Sequence, residues 1–213
     1  MISVKDMYEI DKDAQKRGIP AIILMENAGA NAARIVHEKL GSLKDKNILI
    51  FCGTGNNGGD GLVFARHAKK YGANVAILLA KPPENIRTEE TKTNYNIVKN
   101  QKISIYTGKP PKNILKTTDI AIDAMLGIGL EDKVKDPYKT MIETFNDMHC
   151  TKISLDCPSG IDPDTGNALG TAVKPDITIT FHDIKKGMTE SNSGQIIITD
   201  IGIKKGAGQH GNG

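Results

Sequence analysis

Apolar positions recur at three- and four-residue spacing over residues 3–16, where Val4, Met7, Ile10 and Ala14 share one side of a helix and Ser3 can cap its first turn. The same period runs over residues 21–40, with Leu24, Ala28, Ala32, Ile35 and Val36 on one side and Gly41 as the stop. Two helices therefore precede any strand. Residues 47–51 break the period with a short, uninterrupted apolar run. It leads into Cys52-Gly53-Thr54-Gly55-Asn56-Asn57-Gly58-Gly59-Asp60-Gly61, and helical spacing returns over residues 62–71. This pattern predicts a strand, a glycine-rich loop and a helix.

The alternation continues. Strands are predicted at 74–79, 103–106, 119–123, 153–156, 177–181 and 195–199, with helices at 88–100 and 137–148 and a short helical turn at 113–116. Strands that alternate with helices pair in parallel and are covered on both faces. The expected fold class is α/β: a three-layer α/β/α domain with a mostly parallel sheet, spanning residues 1–203. Residues 204–213 are rich in Gly and polar residues without periodicity, and read as a flexible tail.

A length of 213 residues fits one domain, and 38% hydrophobic with 25% charged residues is globular usage. The net charge of +3 comes from lysines spread along the whole chain, and there is no Trp and only 4% aromatic residues. Nucleic acid is therefore a poor partner, lacking both a basic block and stacking platforms. An anionic small molecule suits the chain better. Cys52, Cys150 and Cys157 form an odd set with no CxxC pair, which reads as reduced thiols in a cytoplasmic protein. No apolar segment is long enough for a signal peptide or a membrane span.

In an open α/β sheet, ligands bind beyond the carboxyl ends of the strands. The first such end, Gly53-Thr54-Gly55-Asn56-Asn57-Gly58, matches GxGxxG, but the next strand ends Leu79-Ala80-Lys81, without the acid that a dinucleotide ribose requires. No Gly-Lys-Ser or Gly-Lys-Thr follows, so a P-loop is excluded too. What remains is a helix N-terminus whose backbone N–H groups can approach an anion. Asp123 leaves the next apolar strand before Gly127 and Gly129, and Asp156 leaves the following one before Cys157-Pro158-Ser159-Gly160. Taken alone, Asp123 is also readable as a helix or loop cap and Asp156 as a turn aspartate before Pro158. Lys185, after a further strand, is placed to neutralise phosphate. The oxygen-rich set Asn57, Asp123 and Ser159 suits a weakly held hard cation and not zinc.

Taken in order, Leu24-Met25-Glu26-Asn27-Ala28-Gly29, Gly55-Asn56-Asn57-Gly58-Gly59-Asp60-Gly61, Asp123-Ala124-Met125-Leu126-Gly127 and Asp156-Cys157-Pro158-Ser159-Gly160 resemble the NAD(P)H-hydrate epimerase family, also called the YjeF N-terminal domain family. The likeness extends to Asp200-Ile201-Gly202-Ile203. It implies a Rossmann-like domain, often homodimeric, that interconverts the R and S epimers of hydrated NADH or NADPH. It further implies that Asn57, Asp123 and Ser159 bind one potassium ion. Substrate would meet Asn56, Asn57, Gly58, Gly59 and Asp60, the loop Gly127, Ile128, Gly129, Leu130, Glu131, Asp132 and Lys133, and Asp156. Lys185 falls on the family's Thr-Phe-Gly-x-x-Lys-x-Gly pattern, with His182 in place of that Gly.

Asp156 is then the expected catalytic acid/base, protonating the leaving hydroxyl while the ring nitrogen stabilises the cation. The resemblance also implies a functional link to a separate ATP- or ADP-dependent dehydratase acting on the S epimer. The alternative is a non-catalytic RNA-binding or dimerisation module of the same fold, as in mRNA-decapping scaffolds.

Overall fold

The structure, a computed structural model, describes residues 1–130 and 132–203. In chain order the elements are α1 (Val4–Lys16), α2 (Ala21–Lys39), β1 (Asn47–Cys52), α3 (Asn56–Lys70), β2 (Asn74–Leu79), α4 (Glu89–Asn100), β3 (Ser104–Thr107), α5 (Lys112–Thr117), β4 (Ile120–Ala124), α6 (Tyr138–Asn146), β5 (Thr151–Leu155), β6 (Ile177–Phe181), α7 (Glu190–Ser193) and β7 (Gln195–Thr199). The strands form one sheet in the order β3-β2-β1-β4-β5-β6-β7, and every pairing is parallel. The order reverses between β1 and β4, which makes their carboxyl ends the topological switch point. The expected α/β, Rossmann-like architecture with two leading helices is the one observed.

Every residue of β1 after Asn47 is buried because the strand has two covered faces. Ile48, Ile50 and Cys52 pack with Ala28, Ala32, Leu62 and Ala65 from α2 and α3. Leu49 and Phe51, on the other face, pack with Met141, Ile142 and Phe145 of α6. Phe51 and Phe145 meet edge to face at 5.4 Å. The three cysteines are free thiols. Residues 204–213, expected to be a tail, lie outside the described residues.

Two differences from the sequence reading bear on the site. Helix α7 is a single turn, too short to carry a period. More important, α3 begins at Asn56 and not near residue 62, so Gly58, Gly59 and Gly61 lie inside a helix. These glycines permit close approach. A Cβ at Gly58 would stand 2.1 Å from the Gly53 carbonyl oxygen, and one at Gly61 2.6 Å from Cβ of Ala124 in β4. A Cβ at Gly59 would stand 2.5 Å from the Met25 sulfur of α2. The helix can therefore seat directly on the switch point, with its N-terminus at the carboxyl edge.

Helix α1 is fixed to the opposite end of the chain. Ile2 N donates to Ile184 O at 2.8 Å, Lys186 N donates to Ile2 O at 3.0 Å, and Val4 N donates to Asp164 Oδ1 at 2.9 Å. The Met1 amino group lies 3.2 Å from Asp183 Oδ2. A Ser3–Asp6 capping box then starts the helix.

Candidate active site

A cleft of about 870 Å³ opens at the carboxyl edge of the sheet over the switch point. Its walls are α1 (Met7, Tyr8, Asp11), α2 (Leu24, Met25, Ala28), the first turns of α3 (Asn56, Asn57, Asp60), the segment from Gly127 to Tyr138, and the strand ends at Asp156 and Phe181. Lys81 and Arg87, which follow β2, line one part, and Asp156, which follows β5, lines another. Three strand spacings separate β2 from β5, or about 14 Å at ~4.8 Å per strand. Lys81 thus lines the β2 side of the cleft and Asp156 the β5 side.

Another part of the cleft is built around the start of α3. Its N-cap, Gly55, has no side chain to satisfy the first-turn N–H groups, and the Arg87 guanidinium lies 2.7 Å from where a Cβ of Gly55 would be. Lys133 and Lys135 line the same cleft. The Lys81 position, notable in the sequence for its missing acid, therefore places an ammonium on the cleft.

Asp156 has φ +65° and sits within a Cys157 N to Leu155 O hydrogen bond of 2.9 Å. His182 repeats this geometry one strand over, with φ +66° and an Asp183 N to Phe181 O bond of 2.8 Å. Such i→i+2 turns over a left-handed residue are rare and strained. The second explains the departure at His182: the backbone there demands the conformation that Gly adopts freely, and His is one of the few side chains that tolerate it. The first aims the Asp156 carboxylate into the cleft.

Behind it stands Lys185, whose side chain has no exposed surface. Its Nζ donates to Asp156 Oδ1, to Thr180 Oγ1 at 3.0 Å and to Phe181 O at 3.0 Å. Three donors meet three acceptors. Lys185 is not on the cleft wall, so the phosphate role expected of it is corrected: it is the buried partner of Asp156.

Two further carboxyl groups share this region. Burial pushes the Asp60 carboxyl well above the usual range, and the charges of Asp156 and Asp11 push it further. Burial, then the Asp156 charge, pushes Asp11 up to about 6, while Lys185 pulls it down. Asp11 was not found from the sequence. The available signal was its place four residues after Met7 and three before Ala14, the two buried positions of α1, which puts a carboxylate on an otherwise apolar face.

Beneath the loop after β4, Asp123 is fully buried. Its Oδ1 accepts from Ser159 Oγ at 2.6 Å and Met125 N at 3.1 Å, and its Oδ2 from Ser154 Oγ and Ser159 N, both at 2.9 Å. Burial raises its pKa against these four donors. Asn57 Nδ2 donates to Leu126 O at 3.0 Å, while Asn57 Oδ1 is buried with no hydrogen-bond partner. An orphaned oxygen beside the Leu126 carbonyl, Ser159 Oγ and a buried carboxylate is a donor set that fits a hard cation.

The structure brings Asn56, Asn57, Asp60, Gly127, Ile128, Gly129, Leu130, Lys133 and Asp156 onto the cleft wall. Gly58 and Gly59 are buried off that wall, and Asp132 is exposed away from it. Glu131 lies outside the described residues.

Known proteins are similar to this chain in sequence and in fold. The NAD(P)H-hydrate epimerase of Nitrosopumilus maritimus (strain SCM1) is 41% identical over 205 residues, 95% of either chain. The enzyme of that name from Cenarchaeum symbiosum (strain A) is 40% identical over the same share. The bifunctional NAD(P)H-hydrate repair enzyme Nnr of Pyrobaculum aerophilum is 36% identical over 93% of this chain, which spans 41% of that protein. The crystal structure of yeast YNL200c superposes with a TM-score of 0.79 at 27% identity, over 91% of this chain and 86% of that one. Residues 21–187 match the model of the YjeF-related protein N-terminus, and the chain belongs to that family.

Proposed function

We propose that this chain is an NAD(P)H-hydrate epimerase, interconverting the R and S epimers of NADH or NADPH that carry a hydroxyl at carbon 6 of the nicotinamide ring. The observation that carries the reading is the separation within the cleft of Lys81 after β2, with Arg87 beside the open start of α3 after β1, from Asp156, backed by Lys185, after β5. A dinucleotide lies along the cleft with phosphates at the cations and the damaged ring at the carboxyl groups.

The reacting carbon is bonded to the ring nitrogen. Protonation lets its hydroxyl leave as water while the nitrogen lone pair forms C=N⁺, and water returning on the other face gives the other epimer. Asp156 exchanges the proton with that oxygen. The bond from Lys185, with the strained turn, holds the carboxylate on the cleft wall. Met7, Leu24, Met25 and Ile128 make the surrounding wall apolar, which favours burial of the ring.

One potassium ion per subunit belongs to this reading, held by Asn57, Asp123 and Ser159. When bound, it supplies positive charge that offsets the buried carboxylate and steadies the loop over it. The orphaned Asn57 Oδ1 supports the assignment. The reading also includes a homodimer in the cytoplasm and a separate ADP- or ATP-dependent dehydratase that consumes the S epimer. The bifunctional relatives support the dehydratase link, and among the described residues no helix is long and apolar enough to cross a membrane.

The test supplies separated R-epimer NADH hydrate, an S-specific dehydratase and its nucleotide, and follows the return of NADH absorbance. Acceleration by the wild type that falls ~10²–10⁴-fold in Asp156→Asn supports the assignment. A folded wild type that gives none overturns it and redirects attention to RNA as a ligand.

A further inference from the structure

An epimerase must handle a hydroxyl leaving one face of a ring and a water arriving at the other, and a single carboxylate reaches both faces poorly. Asp156 enters the cleft from the sheet edge, while Asp11 enters from α1, a different wall. The same segment holds both. Lys185 binds Asp156, and its neighbours Ile184 and Lys186 bind Ile2, which leads into the helix that carries Asp11. We propose that Asp11 is a second proton-transfer group of this site, working with Asp156 across the two faces of the ring; the proposal rests on the epimerase reading.

In one direction the Asp11 carboxylic acid gives its proton to the carbon-6 hydroxyl. The C–O bond breaks with its electron pair on oxygen, water leaves, and the nitrogen lone pair closes C=N⁺. A second water attacks the other face, the π pair returns to nitrogen, and the released proton passes to the Asp156 carboxylate. The opposite direction starts from protonated Asp156 and ends on Asp11, so reverse turnover or exchange with solvent resets the pair.

The surroundings match this division. Asp156 enters this division as the carboxylate partner of the Lys185 ammonium group. Asp11 interacts with Asp156 and with Lys185 behind it, and its charge acts on Asp60 of α3; Lys133 from the loop after β4 and Tyr8 of its own helix line the same cleft, to which α2 presents only Ala21, Leu24, Met25 and Ala28. Burial first and the Asp156 charge second favour the protonated acid there.

The experiment measures epimerisation in both directions from about pH 5 to 9 for wild type, Asp11→Asn, Asp11→Glu and Asp156→Asn, with thermal melting to confirm folding. Asp11→Asn is expected to lower kcat ~100-fold in both directions with KM unchanged, and to lose the limb of the pH profile where activity falls above about pH 6. Asp11→Glu is expected to restore that limb at a shifted pH, and it carries the test if the Asn variant does not fold. Asp11→Asn within about threefold of wild type, with its limb intact, overturns the proposal and leaves Asp156 acting alone. A slow Asp11→Asn that keeps the limb, with Asp11→Glu equally slow, overturns it in favour of a packing role. Inactive wild type overturns the epimerase reading itself, whereas active wild type with an indifferent Asp11→Asn overturns only this step.

Discussion

Lys185 donates a hydrogen bond to Asp156 Oδ1 from a position with no exposed surface, and the pair spans the ends of β5 and β6. Removing one member of a buried ion pair strands the other, and the Thr180 and Phe181 oxygens lose the bonds they accept from Lys185. Lys185→Met is therefore expected to lose about 3–5 kcal/mol in urea unfolding. Its epimerase rate should fall with that of Asp156→Asn. Lys185→Arg is no rescue, because a planar fork cannot reproduce three acceptors arranged around one ammonium. Unchanged stability in Lys185→Met would show that the pair does not organise this edge.

The glycines at the switch point are steric necessities. A Cβ on Gly53 would stand 1.8 Å from the Met125 carbonyl oxygen, where β1 passes β4. The three nearest atoms are all Met125 backbone, which cannot swing aside as the end of a side chain can. Gly53→Ala is expected to cost about 3 kcal/mol or more. Gly18→Ala is the control: open space surrounds it and only its φ of +89° resists, so its cost is about 1–2 kcal/mol. Equal losses in chemical denaturation would refute the steric account.

If Asn57 Oδ1 is satisfied by potassium, the ion binds the folded state and raises its melting temperature by mass action. The wild type should melt higher in potassium chloride than in choline chloride at equal ionic strength, and Asn57→Leu should show no difference. A difference that persists in Asn57→Leu would place the ion elsewhere.

Much of this is legible in the sequence. Strands and helices follow from apolar spacing, and Asp123 and Asp156 are visible because a carboxylate at the end of an apolar strand needs a reason. What escaped depends on tertiary contact. The glycine run was read as a loop because local sequence cannot show that Gly58, Gly59 and Gly61 are there for helix-to-sheet contact. Lys185 was read as phosphate-facing because nothing local to Thr180-Phe181-His182 reveals full burial. Asp11 is invisible to an apolar helical period, which marks Met7 and Ala14 but not the carboxylate between them.

Lys81 and Arg87 are exposed on the cleft, and in the proposed reading they meet phosphate and not the reacting ring, so that interaction is the same in ground and transition states. Such uniform binding moves KM and not kcat. Lys81→Ala and Arg87→Ala are each expected to raise KM about tenfold with kcat intact, and to flatten the dependence of KM on salt. A fall in kcat alone would place these cations nearer the chemistry.

Keeping a carboxyl group on the apolar side of α1 has a stability consequence whose sign can be checked. Asp11 has its folded-state pKa raised from 3.8 to about 6, by burial first and the Asp156 charge second. The folded state therefore binds the proton more tightly than the unfolded chain. No penalty exists below about pH 4, it grows as pH rises through 6, and it is complete above 7. The shift alone corresponds to about 3 kcal/mol, but Asp11 is partly exposed and solvent screening reduces this to about 1 kcal/mol. Asp11→Asn should thus raise Tm by about 2–4 °C at pH 8. That gain should shrink between pH 6 and 4 and vanish below it. A variant both slower and more stable at pH 8 is what a group retained for chemistry predicts. One that melts lower at pH 8 would show that α1 relies on this carboxylate as an anchor.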